Sequence, residues 1–202
     1  MKTIDYIQQW LKENLSEKRY NHSLGCADAA KKLAKLFAQD ENKAYLAGLI
    51  HDCAKNFEED KLLDIIKNQV INGFDECELK NPKTLHSIAG AYLIQKEFEI
   101  DDVEIISAVR NHTIGKVGMT IFDKIIFLAD KIEPNSRDEK YTKKIWKLIE
   151  RNKGVIGLDL ALLRCFCETI KNLIRKKYYI CANTIDVYNE LQEHVGELLD
   201  EE

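Results

Sequence analysis

The sequence predicts an all-α protein, and three observations lead to that fold class. Only two prolines and nine glycines interrupt the 202 residues. Apolar residues recur at helical spacing along most of the chain, as amphipathic helices require. No segment combines alternating apolar and polar residues with a hairpin turn, the pattern typical of paired strands. We therefore expect a helical bundle without a β-sheet.

Ten helices are predicted from apolar spacing and from the residues that begin or end a helix. They lie near 2–15, 18–38, 41–52, 58–67, 84–97, 101–111, 119–132, 138–151, 157–176 and 182–198. The apolar positions of the first two are Ile4, Ile7, Trp10, Leu11 and Leu15, then Ala29, Ala30, Leu33, Leu36 and Phe37. The third helix follows from the apolar stretch 44–50, and Pro82 precedes the helix 84–97, whose first turns are also apolar.

The later helices are separated by glycine and proline. The helix 101–111 is followed by a glycine-bearing turn at 113–118. The apolar helix 119–132 ends at Glu133-Pro134 because proline cannot continue a helix. Apolar residues on the helix 157–176 indicate packing against the rest of the bundle.

The helices are expected to form a single helical domain over residues 1–202. A shift in composition near 135–140 separates a core, 16–134, from a helical extension, 140–200, without a flexible linker. The longest irregular stretch is 68–83.

The composition excludes several classes of partner. A formal net charge of −4 and an isoelectric point near 5.8 argue against DNA or RNA, because nucleic-acid binding rests on a basic surface. A local basic pocket for a small polyphosphate stays compatible with this charge. The first fifteen residues are amphipathic and charged, unlike a signal peptide. No apolar stretch reaches the roughly 18 residues of a membrane span, so we expect a cytoplasmic protein.

Six cysteines occur without a CxxC pair. With no secretory signal, they are expected to be reduced, mostly buried thiols. They are Cys26, Cys53, Cys77, Cys165, Cys167 and Cys181.

His51 and Asp52 are adjacent polar residues at the end of an apolar helical stretch. Burying an imidazole and a carboxylate there requires a compensating partner, because an unpaired buried charge is costly. A divalent cation is a partner that accepts both groups as ligands. The alternative is a buried His–Asp hydrogen bond with no further purpose.

Four other residues have the chemistry to complete a metal site. Asp130 lies on an apolar helix face with Lys131 about 100° away around the helix, and its alternative is a buried salt bridge with another Lys or Arg. His22 and His86 lie near helix starts, and His112 follows a helix, where an imidazolium is favoured by the helix dipole. Taken singly, each histidine is explained as well by a structural role.

Jointly, these residues make a candidate ligand set of nitrogen and oxygen donors without a thiolate. Such a set favours iron, manganese or another borderline-to-hard divalent ion over a structural zinc. The members of the set are His22, His51, Asp52, His86, His112 and Asp130.

The order H…HD…H…H…D resembles the HD-domain metal-dependent phosphohydrolases, and most closely their YqeK-like branch of symmetrical bis(5′-nucleosyl)-tetraphosphatases. The matching segments are RYNHS at 19–23, AGLIHDCAK at 47–55, LHSIAGA at 85–91, HTIG at 112–115, LADKIEP at 128–134, Thr184 and YN at 188–189. The resemblance covers about residues 16–190 and makes 16–134 the HD core of an HD-domain helical bundle. Ser136 departs from the family pattern as an extra residue before Arg137.

The resemblance implies a metal-activated water and a nucleotide substrate. His22, His51, Asp52 and Asp130 would hold one iron ion. His86 and His112 would either complete a second ion site bridged by Asp52 or contact the substrate phosphates. Asp52, His86 and His112 are thereby the expected catalytic residues. The expected substrate contacts are Arg19, Lys55, His86, His112, Thr113 and Arg137.

The expected reaction is attack on a central phosphorus of a dinucleoside tetraphosphate, giving two nucleoside diphosphates. Two alternatives stay open. One keeps the metal site and changes the substrate to a nucleoside mono- or triphosphate or a cyclic nucleotide. The other is a nucleotide-sensing module with a vestigial site. A homodimer is also left open.

Overall fold

The computed structural model describes residues 1–68, 76–135, 137–152 and 154–198, and within these ranges the fold is all-α, as predicted. No strand occurs in the described ranges. Their eleven α-helices, numbered α1 to α11 in chain order, are Ile4–Asn14, Glu17–Leu36, Glu41–Ile50, Glu59–Asn68, Glu76–Lys80, Pro82–Glu97, Val103–Asn111, Ile121–Ile132, Glu139–Arg151, Val155–Arg175 and Ala182–Val195. A short 3-10 helix, Gly196–Leu198, follows α11.

The ten predicted helices all occur, with small differences at their ends. The largest difference is at α11, predicted over 182–198 and observed over Ala182–Val195. The short helix α5 was missed, because it lies within the stretch predicted to be irregular. Pro82 is the first residue of α6, where its missing N–H would have no partner within the helix. Ser136 and residues 69–75 of the predicted loop 68–83 lie outside the described residues.

Side-chain caps determine where the helices that carry the site begin. Asp40 Oδ1 accepts hydrogen bonds from the backbone N–H groups of Asn42 and Lys43 at the start of α3. Thr120 and Asp123 form a capping box at the start of α8, each side chain accepting from the backbone N–H of the other. Such caps satisfy N–H groups that have no partner within the helix.

Helices α2, α3 and α8 form the centre of the molecule. The pair α2 and α3 has the most extensive contact, and α8 packs on both. Their close approach depends on Gly48, since a Cβ atom there would lie 2.8 Å from the Cys26 carbonyl oxygen. Helices α6 and α7 pack together, with α4 against α6 and α7 against α8.

The C-terminal helices pack directly on this centre. The stacked rings of Phe127 and Phe166, with centroids 4.6 Å apart, join α8 to α10. Gly115 has a φ of 75°, and a Cβ there would meet Phe166 at 2.9 Å, so the turn after α7 also rests on α10. The division into a core, 16–134, and an extension, 140–200, stays a prediction.

Among the described residues, no helix is both long and apolar enough to cross a membrane. The cytoplasmic location stays a prediction. Cys26, Cys53, Cys165 and Cys181 are buried and the other two cysteines are partly buried, which confirms the expected burial of most thiols.

Candidate metal centre and adjoining pocket

His51 and Asp52 lie where α3 ends, and both side chains are buried. Helix α3 runs to Ile50, and the chain then turns, with the Cys53 N–H donating to the Ile50 carbonyl. The His51 Nδ1 lies 2.7 Å from the carbonyl oxygen of Gly48. A proton on Nδ1 donates to that carbonyl and leaves Nε2 free as a ligand atom.

His22 extends from α2 toward the end of α8. Its Nδ1 lies 3.0 Å from Oε1 of Glu133, and its Nε2 lies 3.1 Å from Oδ1 of Asp130. Glu133 is fully buried and follows the last residue of α8. A metal-binding histidine commonly donates the N–H of its other ring nitrogen to a carboxylate. This hydrogen bond orients the ring and raises the basicity of the ligand nitrogen.

The four predicted metal ligands converge on one point. His22 Nε2 lies 3.8 Å from Asp52 Oδ2. His51 Nε2 lies 3.7 Å from the same oxygen and 3.9 Å from Asp130 Oδ1. Ligand atoms about 2.1 Å from a shared ion lie about 3.0 Å apart at right angles and about 4.2 Å apart across it. The observed separations fall in this range, so the residues fit a divalent cation.

A thiol lies beside these four groups. Cys26, one turn after His22 on α2, places Sγ 3.6 Å from His22 Nε2 and 3.9 Å from His51 Nε2. His22, Cys26, His51 and Asp130 together form a buried group with the spacing of metal ligands. The predicted ligand set contained no sulfur and therefore omitted Cys26. Its position four residues after His22, on the same helix, could have revealed that the two side chains are neighbours.

Asp52 also faces a second pair of imidazoles. Its Oδ1 lies 3.0 Å from His86 Nε2 and 3.4 Å from His112 Nε2, and these two nitrogens are 3.1 Å apart. His112 Nδ1 lies 2.7 Å from the Val109 carbonyl oxygen, which leaves its Nε2 directed at Asp52. Asp52 thus stands between two imidazole pairs, the arrangement expected of a carboxylate that bridges two ions or separates an ion from substrate.

Cationic side chains contact both carboxylates. Arg19 Nη1 lies 3.2 Å from Asp52 Oδ2. Lys55 Nζ lies 3.9 Å from Asp52 Oδ1 and 3.0 Å from His86 Nε2. Arg137 Nη2 lies 2.7 Å from Asp130 Oδ1, so it is part of the site despite the extra residue before it. Lys131 Nζ lies 2.8 Å from Asp130 Oδ2, which corrects the expectation that it points away from that carboxylate.

The pKa values at the site follow from burial and from these charges. Burial lowers the pKa of His51 to about 3 and, with the neighbouring Lys55, that of His86 to about 4. Burial also disfavours charged His22, but its hydrogen bonds to Asp130 and Glu133 outweigh this and raise its pKa to about 9.

The two carboxylates stay charged. Burial would raise the pKa of Asp52, but nearby His51 and Lys55 hold it well below its usual range. Lys131 and the hydrogen bond from His22 do the same for the pKa of Asp130. Two buried carboxylates that stay ionised attract a cation.

A cavity of about 580 Å³ opens above the carboxylates. All six residues predicted to contact substrate line it, namely Arg19, Lys55, His86, His112, Thr113 and Arg137. The imidazoles of His22 and His51 are not among its lining residues. Asp52 and Asp130 are, so an ion held by all four would be reached from this pocket.

Residues that the sequence analysis missed line the same pocket. Lys83 and Lys176 add two cations to the lining. Phe57, Leu62 and Pro82 provide apolar surface. Only their positions in the folded chain identify these five residues, since each lies outside the recognised motifs.

Comparisons with known proteins identify the family and several relatives of this chain. The family model described as HD domain matches residues 19–135. A Halalkalibacterium halodurans protein named bis(5'-nucleosyl)-tetraphosphatase, symmetrical, is 34% identical over 183 residues, covering 91% of this chain and 94% of the relative. A Bacillus subtilis protein of the same name is 34% identical over 181 residues, covering 90% and 93%.

A solved structure shares the whole architecture. A Clostridium acetobutylicum protein, described as a predicted HD superfamily hydrolase involved in NAD metabolism, superposes with a TM-score of 0.88 at 38% identity. The match covers 96% of this chain and 99% of that protein. The similarity therefore includes the C-terminal helices as well as the segment that carries the metal-binding motifs.

Proposed function

The chain belongs to the HD domain family, and we propose that it hydrolyses dinucleoside tetraphosphates symmetrically, so that diadenosine tetraphosphate yields two ADP. The observation that carries the proposal is the pocket floor, where Asp52 lies between two imidazole pairs beneath a cation-lined cavity. The choice of substrate is supported by relatives named as symmetrical tetraphosphatases, whose similarity covers about nine-tenths of the chain.

The proposed cofactor is one iron ion held by His22, His51, Asp52 and Asp130. Two imidazoles with two carboxylates suit iron or manganese better than a soft metal. A divalent cation there would supply Lewis acidity and make a water molecule nucleophilic near neutral pH. The chain's own contribution is to keep both carboxylates ionised and both Nε2 atoms directed at one point.

The cationic side chains are proposed to bind the tetraphosphate. Phosphoryl transfer depends mainly on positioning and charge neutralisation. Arg19, Lys55 and Arg137 already lie against the carboxylates and reach the pocket. Lys83 and Lys176, which also line the pocket, provide further positive charge for a four-phosphate chain.

His86 and His112 are proposed to act where Asp52 meets the pocket. Their Nε2 atoms face Asp52 Oδ1 and both rings line the cavity. The hydroxyl of Thr113 lies 3.3 Å from His112 Nε2 and can share a phosphate oxygen with it. Either these imidazoles contact a phosphate or they complete a second ion site. The metal content of the His86→Ala protein distinguishes the two alternatives. If the imidazoles complete a second ion site, the variant should hold one ion fewer per chain than the wild type; if they contact a phosphate, its metal content should be unchanged.

The pocket lining and the candidate ligands favour this function over the two alternatives. A cavity with six cations along its lining, Arg19, Lys55, Lys83, Lys131, Arg137 and Lys176, suits a polyphosphate better than a monophosphate. A vestigial sensor would be expected to lose at least one ligand. The short distances that link His22 and His51 to Asp52 and Asp130 support an intact ligand set.

The test combines metal loading with product analysis. The protein is loaded with ferrous iron under argon, its metal is quantified, and the products from diadenosine tetraphosphate are separated by chromatography. ADP as the sole product supports the proposal. AMP with ATP in equal amounts would show asymmetrical cleavage. No turnover of this substrate, with rapid hydrolysis of another nucleotide, would overturn the substrate assignment.

A further inference from the structure

Two cysteines far apart in the sequence meet beside the pocket. Cys77 lies on α5 and Cys181 immediately precedes α11, and their Sγ atoms are 2.8 Å apart. The sulfur atoms of a disulfide are about 2.0 Å apart, so the thiols need to approach by only about 0.8 Å. Neither cysteine belongs to the metal centre or to the pocket lining.

The pair lies on a seam, which we define as the contact between residues 77–83 and residues 176–181. A second contact crosses it, because Lys83 Nζ lies 4.2 Å from the centre of the Tyr178 ring. Lys83 lines the pocket on one side of the seam and Lys176 on the other. Opening or closing the seam therefore changes the width of the pocket.

Both sides of the seam are anchored to the rest of the fold. On one side, buried Glu78 forms a salt bridge with Arg110 of α7, at 2.8 Å. On the other, the Thr184 hydroxyl donates to the Ile114 carbonyl in the turn after α7. Because the anchors lie one residue from Cys77 and three residues from Cys181, they hold the two sulfur atoms near each other in the reduced protein.

We propose that Cys77 and Cys181 form a reversible disulfide that ties the two walls of the pocket together. The oxidant is a low-molecular-weight disulfide such as oxidised glutathione. Cys77, the more exposed thiol, attacks the glutathione disulfide as its thiolate and releases one glutathione thiolate, which takes up a proton.

Cys181 completes the exchange. Its thiolate attacks the Cys77 sulfur of the mixed disulfide and displaces the second glutathione as a thiol. Two protein thiols are thereby oxidised and one glutathione disulfide is reduced to two thiols. The two protons lost by the cysteines are carried by the departing glutathione molecules. Disulfides of this reversible kind are the ones associated with redox sensing in reducing compartments.

The cross-link is expected to slow turnover. A substrate with two nucleosides and four phosphates needs the walls to separate for entry and release, and such opening steps often limit turnover. This consequence rests on the proposed function, whereas formation of the disulfide does not.

The first experiment maps the bond in the 202-residue chain. Protein treated with oxidised glutathione is alkylated and digested with trypsin. Peptides 68–80 and 178–202 are expected as one species, lighter than their sum by two hydrogen atoms and separated by a reductant. The species is absent from Cys77→Ser and Cys181→Ser and present in Cys167→Ser, a partly buried thiol elsewhere. Recovery of the two peptides only as free thiols or glutathione adducts overturns the proposal.

The second experiment measures the consequence. The oxidised wild-type enzyme is expected to hydrolyse diadenosine tetraphosphate at least about threefold more slowly than the reduced enzyme. Reduction should restore the original rate. Cys77→Ser retains Cys26 at the metal centre, so it controls for oxidation there and should not respond to glutathione disulfide. An equal response of wild type and Cys77→Ser would overturn the link to the pocket. A chain without hydrolase activity would still show the cross-linked peptides.

Discussion

At the residue scale, Asp52 connects the two halves of the site. One of its oxygens faces His22 and His51, and the other faces His86 and His112. Removing the Asp52 carboxylate should therefore affect both halves of the site.

We predict that Asp52→Ala loses bound metal and turnover together. Turnover should fall by more than about 100-fold, beyond the range typical of groups that only support a ligand. Elemental analysis and product chromatography on the same sample measure both effects. Asp60→Ala, which changes an exposed carboxylate on α4, is the control. An Asp52→Ala protein that retains metal and activity would falsify the site assignment.

Glu133 provides a second test at this scale, because it acts through His22. Glu133→Gln keeps the shape of the side chain but removes the charge that faces His22 Nδ1. We expect metal affinity to fall by about 10–100-fold, measured by titration of the metal-free protein. Glu104→Gln, in a surface pair with Lys43, is the matched control. Equal affinities in the two variants would show that Glu133 does not support the ligand.

At the scale of the elements, the contact of α2 with α3 brings the ligands together. We predict that Gly48→Ala destabilises the protein by about 1–3 kcal/mol. The new Cβ would meet the Cys26 carbonyl oxygen at 2.8 Å and the Ala27 Cα at 2.9 Å, and backbone atoms cannot move aside unless the helices separate. Because α2 carries His22 and α3 leads to His51, metal affinity should fall as well.

A matched control for this prediction lies on α6. A Cβ at Gly90 would have its nearest contact at 3.6 Å, with Cys53 Sγ, which is an ordinary packing distance. Gly90→Ala should therefore be neutral or should stabilise the helix by about 0.5–1 kcal/mol. Urea denaturation of both variants gives the comparison. If the two behave alike, the close approach of α2 and α3 is not limiting.

At the scale of the whole molecule, one ion would join three elements, since its ligands come from α2, from the end of α3 and from α8. An ion present at 100 times its dissociation constant adds about 2.7 kcal/mol to stability. We predict that chelation lowers the thermal midpoint of the wild type by about 5–10 °C. Scanning calorimetry with and without chelator measures the shift, which re-added metal should reverse.

The same measurement on Asp52→Ala separates metal linkage from other effects of the chelator. This variant should show no shift, because it has no ion to lose. A shift of equal size in both proteins would contradict the proposed link between the ion and the fold. At the same scale, we still predict that the protein binds neither nucleic acid nor a membrane. A homodimer stays an open alternative.

Most of the helices and several candidate metal ligands could be predicted, because each has a signal within a short segment of sequence. Apolar spacing located ten helices, and the polar residues on apolar stretches pointed to His51, Asp52 and Asp130. The short helix α5 was missed because five residues are too few to show a period. Glu133 was passed over because a glutamate after a helix is ordinary in sequence, and only its burial against His22 makes it notable.

The sequence by itself determined the helical class and the residue types of the candidate site, because helical periodicity and buried polar residues are properties of short segments. Only the tertiary structure decided which oxygen of Asp52 faces which imidazoles, that Cys26 lies beside the ligands, that Lys131 contacts Asp130, and that Cys77 meets Cys181. Each of these depends on how separate helices pack or on which rotamer a side chain adopts. Packing angles and rotamers are set by the whole core, so no short segment encodes them.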